Sequence, residues 1–476
     1  MKKILIISLI SLLCLLLIGC SKESSEDILA DNDQNPEELP QPEDIKDTPE
    51  IKRTPPRLDN PITPTEKPVR EETTSSTTVV ASDLLQPGDI TYLGAFRLPE
   101  PSGGSGWGYS GYGATFYPNG DPSSNDNHPG SIFAIGHEYQ QQISEISIPE
   151  PINSKTLENL NTAATLQPFA DIRGGLFGEL EIPRADIVYY YNKLYFAWGQ
   201  HFEFQFSPTH GRSSLDLSNP QTEGLWSVDS IANYAVNDYL FEIPASWVAA
   251  NTPGKPLATG RFRDGLWSGR GPALFAISPN PSNRILDTTT LLLYGTQEPE
   301  NVEITSDESM NINSFSETDE WSGGEWLTSG NKAAMVLVGT KGIGKTWYGF
   351  ANGVVWPVDY CDEGEDPAVE DCPPVPDWPY DQRGWWSEDI QAQMIFYNPD
   401  DLAAVARREM NSWEPQPYAA LNLDSYLIDP GFDYERGKRY LLGAPAFDRE
   451  NGFLYLFERM ADGQDELSVV HVLSVG

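Results

Sequence analysis

Gly339-Thr340-Lys341-Gly342-Ile343-Gly344-Lys345-Thr346 carries the letters of a phosphate-cradling P-loop. That chemistry needs backbone amides gathered at a helix N-terminus after a parallel strand, usually with an acid on another strand. The continuation Trp347-Tyr348-Gly349-Phe350 is strand-like instead, so the expectation is a glycine-rich hairpin turn and no nucleotide partner. Ser329 and Lys332 have the Ser-x-x-Lys spacing of a nucleophilic serine, without the companion motifs that chemistry requires. His137-Glu138 opens like a zinc-hydrolase helix and lacks the second histidine. There is no Gly-x-Ser-x-Gly elbow, and the five histidines, His128, His137, His201, His210 and His471, are scattered. No catalytic residue is assigned from these motifs, and whether the chain is an enzyme stays open.

A second constellation depends on elements that repeat. Hydrophobic period two dominates from Ile90 onward with few helical stretches, which predicts an all-β domain. Five pairs of short strands recur: Ala114–Pro118 with Ile132–His137, Ala185–Tyr189 with Leu194–Gln200, Ala273–Ala276 with Leu291–Thr296, Ala334–Val338 with Trp347–Phe350, and Ala446–Asp448 with Phe453–Glu458. Third strands are expected at Gln142–Ile148, Tyr239–Ile243, Gln393–Tyr397 and Val469–Leu473. Repeats of this kind predict a β-propeller of five blades, six or seven remaining open, with Ile90–Leu98 closing the ring on the last blade. One helix is expected where Asn398 can cap, Pro399 can take the first position and Asp400 and Asp401 fill the first turn.

In a propeller, residues before each first strand and after each second strand meet at one mouth of the channel. The repeat as phased above brings Tyr109, Arg184, Arg270 and Lys332 to the entries, and His137, Glu138, His201, Glu203 and Glu298 to the exits. Convergent cations on an acidic domain suit an anionic ligand such as a uronic-acid polymer, with His137 or His201 able to move a proton. The alternative is that these cations pair with Glu181, Glu325 and their neighbours between blades. Trp378, Tyr380, Trp385 and Trp386 could stack on sugar rings or fill space between blades. The carboxylates Asp362, Glu363, Glu365, Asp366, Glu370 and Asp371 could hold calcium, or form a solvated loop without EF-hand spacing. No other cofactor is expected.

The N-terminus carries an address. Met1-Lys2-Lys3 is basic, Ile4–Ile18 is uncharged and apolar, and the run is too short for a comfortable membrane span. It ends in Leu17-Ile18-Gly19-Cys20, which resembles the bacterial lipobox, where the cysteine is lipidated and becomes the first mature residue. The resemblance implies residues 1–19 as a lipoprotein signal, a multiply acylated Cys20 as a lasting anchor in the lipid bilayer, and outer-membrane sorting, since Ser21 rather than Asp follows. Residues 20–82 hold nine prolines and no aromatic residue and read as a disordered acidic tether. Residues 83–476 form the propeller domain. Cys14 leaves with the signal, so Cys361 and Cys372 are expected to pair as a disulfide outside the cytoplasm.

With 31 basic against 70 acidic residues the chain has a net charge of −39, opposite to what a nucleic-acid partner requires. As a whole it resembles bacterial surface lipoproteins that carry a β-propeller. The resemblance implies a ligand-binding propeller at the cell envelope, recognising a carbohydrate polymer at its channel face. A glycosidase or lyase on the same fold, or a scaffold for envelope proteins, are the other expectations, because fold alone does not choose a function.

Overall fold

Alternation along one strand decides which neighbour each residue faces. In Ser131–Ile135, Ile132 and Ala134 pack into one core with Tyr455, Phe457, Val470 and Phe96, while Phe133 and Ile135 pack into another with Ile187, Leu194, Phe196 and Trp198. Val336 and Val338 share a core with Leu442, Leu454 and Leu473, and the intervening Met335 and Leu337 share one with Phe241, Leu274 and Tyr397. Both faces of each sheet are covered, so the central strands read as continuous apolar runs although their side chains alternate. The computed structural model describes residues 83–121, 128–178, 180, 183–200, 207–231, 233–262, 270–295, 308–357, 361, 372–433, 438–462 and 466–476.

Five four- or five-stranded sheets make a five-bladed β-propeller. Their innermost strands are Ala114–Tyr117, Pro183–Tyr190, Tyr239–Glu242, Glu320–Ser329 and Leu442–Asp448; each packs on the next and the last returns to the first. Ile90–Arg97 closes the ring as expected. It pairs antiparallel with Leu467–Val475, Phe96 opposite Val470, and so completes the blade begun by the C-terminal strands. The helix α1 (Ala245–Asn251) was not foreseen in the sequence; α2 (Pro399–Ala406) was, and the Asn398 side chain accepts the Asp400 amide at 2.9 Å. Cys361 and Cys372 form a disulfide with Cα atoms 5.8 Å apart.

Two blades correct the phase of the repeat. Ala273–Ile277 is the third strand of its blade, whose first is the short Tyr239–Glu242 and whose second is Leu257–Arg261. Lys332–Phe350 is a second strand, preceded by Glu320–Ser329. Tyr239–Ile243, expected as a third strand, therefore opens a blade.

Gly339–Thr346 is also not a turn. It lies inside the strand Lys332–Phe350, with a shift of register between Ile343 and Thr346. Its glycines have a packing reason: a Cβ at Gly339 would sit 2.0 Å from the Glu320 carbonyl oxygen, and one at Gly342 would sit 1.8 Å from Thr318 Oγ1. The letters of the P-loop allow one strand to press on the segment that delivers Glu320, and the strand–loop–helix order of that motif is not what the chain builds here.

The signal, Cys20 and the tether (1–82), Glu181, His201, Glu203, Glu298 and the carboxylates Asp362, Glu363, Glu365, Asp366, Glu370 and Asp371 lie outside the described residues.

Candidate functional site

The starts of the inner strands converge, with the ends of the second strands beside them. With the corrected phase the entries are Tyr112, Arg184, Asp238, Asp319 with Glu320, and Tyr440; the exits are Glu138, Arg261 with Phe262, Lys341 and Arg459. These residues pair one with another. Arg184 Nη1 donates to Glu320 Oε1 at 3.1 Å, and Arg459 Nη1 lies 3.9 Å from the same oxygen. Lys341 Nζ reaches both oxygens of Asp319 at 2.9 Å, and Arg261 Nε lies 3.4 Å from Asp238 Oδ2. The pairs join different blades or neighbouring segments of one blade, so folding gathers opposite charges into a largely buried cluster beside the first cavity.

Burial sets the electrostatics. Burial works against the Arg184 charge, but Glu320, Tyr112 and Asp238 outweigh it and hold the guanidinium protonated above its ordinary range. Burial raises the Asp238 carboxyl, opposed by Arg261 and Arg184, and raises Asp319, opposed chiefly by Lys341. Buried charges are tolerated when paired and hydrogen-bonded. The pairing here is incomplete: Arg184 Nε and Arg459 Nε are buried with no hydrogen-bond acceptor among the described residues.

Tyr112 sits at the centre of this arrangement. Its hydroxyl accepts from Arg459 Nη2 at 2.6 Å and donates to Glu138 Oε2 at 2.6 Å. The guanidinium carbons of Arg459 and Arg184 lie 4.1 and 5.5 Å from its ring centroid. Burial raises the hydroxyl above the usual phenol value, with Arg459 opposing and Glu138 adding to the rise. Tyr112, Arg439 and Tyr440 line two neighbouring cavities of about 340 and 440 Å³. Arg439 stacks on the rings of Trp386 and Tyr440 at 5.1 and 5.3 Å, and has no carboxylate partner among the described residues.

The chain matches no family model and no curated protein. The reading of the site therefore rests on its geometry.

Of the residues expected at this mouth, Arg184 lines the first cavity and Tyr109 the second. Tyr109 stands edge-on to His137 with centroids 5.7 Å apart, and His137 Nδ1 accepts the Tyr139 amide at 3.2 Å. Arg270 lies 3.6 Å from Glu317, which lines the first cavity. Lys332 is not at this mouth. Ser329 pairs with Lys332 and Glu320 with Thr340, so Lys332 lies eight residues down its strand from Thr340, about 26 Å away at strand rise. There its ammonium bonds Asp89 Oδ1 at 2.6 Å and holds the Asp89 carboxyl below its usual range.

The alternative of cations paired between blades is met in part. Arg184 does pair across blades, with Glu320, while Glu325 lies 3.5 Å from Arg449. The tryptophans divide: Trp386 is buried and bonds the Gly349 carbonyl, Trp378 is 75% exposed, and Trp385 lines the first cavity edge-on to Tyr348. Among the described residues no group of three or more His, Cys, Asp or Glu is placed to hold a metal ion.

The residues missed were Tyr112, Glu320, Arg439, Tyr440 and Arg459. Glu320 follows from the entry-and-exit rule once the two misphased blades are corrected; Tyr112, Tyr440 and Arg459 lie beside the ends of strands in the first and last blades, which the sequence phased correctly, and only the window of residues read there left them out. Arg439 stands further from its inner strand, three residues before Leu442, where the rule carries no expectation.

Proposed function

We propose that this propeller binds an anionic carbohydrate polymer at its channel mouth, displayed outside the cytoplasm from a lipid-anchored Cys20. The observation that carries the binding reading is Arg439, a guanidinium that lines both cavities, lies over the rings of Trp386 and Tyr440 and has no carboxylate partner among the described residues. Arginine in that state recognises carboxylates through paired donors. Trp385, Tyr348 and Tyr440 supply ring faces of the kind on which sugars stack, and two joined cavities suit consecutive units of a chain. The acidity of the whole chain makes this cationic pocket selective for position rather than for charge at a distance.

Calorimetric titration with polygalacturonate, beside a neutral glucan, tests this. Arg439→Ala is expected to weaken binding of the acidic polymer by about tenfold to a hundredfold, the loss of one charge-assisted contact. Lys332→Ala is expected to bind as the parent does. Equal affinity of parent and Arg439→Ala, or a preference for the neutral polymer, would remove the basis of this reading.

The anchor is tested separately. Among the described residues no helix is long and apolar enough to cross a membrane. The lipobox-like Leu17-Ile18-Gly19-Cys20 is what supports attachment through acyl chains on Cys20, each buried CH₂ contributing about 0.8 kcal/mol. Cys20→Ser is expected to move the protein from the membrane fraction to the soluble fraction and to abolish incorporation of a fatty-acid label. Retention of both would overturn the assignment.

A further inference from the structure

Binding alone gives no reason for the surroundings of Tyr112. A phenol that only lines a sugar site needs one partner, which water supplies. Tyr112 instead touches a carboxylate and a guanidinium at 2.6 Å each, under a second guanidinium, on the floor shared by both cavities. Burial raises the phenol, and Arg459 and Arg184 act against that rise by favouring its ionised form, while a carboxylate in hydrogen-bond contact can hold the proton meanwhile. Arg439, on the same two cavities, is placed to neutralise a substrate carboxylate, which makes the adjacent C–H acidic.

We propose that the channel mouth cleaves the uronate polymer by β-elimination, with Tyr112 as the proton-transferring residue, Glu138 as its proton partner and Arg439 as the carboxylate clamp. This rests on the anionic-polymer reading above. Glu138 takes the Tyr112 hydroxyl proton, and the phenolate removes the proton from the ring carbon that bears the carboxylate. The freed electron pair forms a C=C bond to the next ring carbon as that carbon's bond to the glycosidic oxygen breaks. Tyr112 then gives its proton to the departing oxygen, and Glu138 returns the proton it held. One C–H and one C–O bond are exchanged for one C=C and one O–H, and no co-reactant is consumed.

The full chain is incubated with polygalacturonate and with polymannuronate, and two quantities are read: ultraviolet absorbance of the unsaturated uronate, and polymer binding by calorimetry. The expected result is unsaturated product from the parent. Tyr112→Phe should lower turnover by about 100-fold or more with binding kept. Thermal melting of Tyr112→Phe, which loses one oxygen, checks that the fold is intact. Glu138→Gln, whose amide can still accept the Tyr112 hydrogen bond but cannot take up its proton, should slow turnover with polymer binding and thermal melting kept; a merely structural Glu138 would leave turnover of this near-isosteric variant at the parent's. Polymer bound with no unsaturated product would overturn the elimination and leave the binding reading standing. Turnover by Tyr112→Phe equal to the parent's would overturn it as well. Failure to bind either polymer would overturn both.

Discussion

Glu320→Ala is expected to destabilise the propeller by about 3–5 kcal/mol, more than any substitution of a cavity-lining cation. Glu320 is 2% exposed and is the nearest carboxylate to both Arg184 and Arg459, themselves 7% and 5% exposed. Removing it leaves two buried guanidiniums from different blades with like charge and a missing acceptor. Such a loss exceeds the worth of the intact pair, because what remains is an uncompensated charge in a medium that solvates it poorly. The measurement is urea unfolding of the parent, Glu320→Ala, Glu320→Gln and the double variant Arg184→Met/Glu320→Leu. Glu320→Gln should fall between parent and alanine, since the amide oxygen still accepts from Arg184. The double variant should recover part of the loss, as replacing both members of a buried pair by apolar groups does. A change below about 1 kcal/mol for Glu320→Ala would mean that water in the channel solvates the arginines, and the description of a dry charge network would fail.

The same network links stability to the proposed activity. Arg459 touches Glu320 on one side and the Tyr112 hydroxyl on the other, so the phenol is held by a residue that the fold itself needs. Variants of Arg184, Arg459 or Glu320 will therefore mix unfolding with lost function. Arg439 and Tyr112 are the cleaner probes. Arg439 has no carboxylate to strand among the described residues, and Tyr112→Phe keeps the ring that both guanidiniums stack on.

Period two, five copies and ring closure were legible because they are set by burial on both faces of every blade, which any apolar alternation reveals. The phase was not. The strands that open the third and fourth blades are Tyr239–Glu242, four residues long, and Glu320–Ser329, which contains Gly323-Gly324 and two glutamates. Against them the neighbouring Ala273–Ile277 and the apolar start of Lys332–Phe350 look more like core, and periodicity ranks strands by apolarity rather than by distance from the axis. Inner strands near a channel can afford small and charged residues: a Cβ at Gly323 would meet the Pro445 ring at 2.3 Å. Arg184 was found because its blade was phased correctly, and Lys332 was misplaced by the length of a strand because its blade was not. The acids Asp238, Asp319 and Glu320 were the available signal, each standing at or just before the opening of an inner strand.

At the opposite end of the channel the expected effect runs with pH. Glu325 lines a small cavity of about 210 Å³ with Glu242, Asp448, Arg449 and Glu450. Its Oε1 accepts the Trp326 amide at 2.8 Å, and burial pushes its carboxyl up to about 7, against Arg449 and that amide and helped by Glu242. Burial also raises Glu242, with Arg449 opposing. A carboxyl raised in the folded state binds a proton there that the unfolded chain has already released, so the native state holds more protons between about 4.5 and 7. Stability from this group is fully present below that window and is lost as pH rises through it, by about 3 kcal/mol in all. Glu325→Gln keeps the acceptor and cannot ionise. It is expected to match the parent near about pH 4 and to exceed it by about 1–3 kcal/mol near about pH 8, where the parent must hold a buried carboxylate beside Glu242. Urea midpoints of both proteins across that range check the sign. A difference that stays constant with pH would show that Glu325 is ionised throughout and that Arg449 outweighs burial, whereas a difference opening between the two limits locates the proton on Glu325.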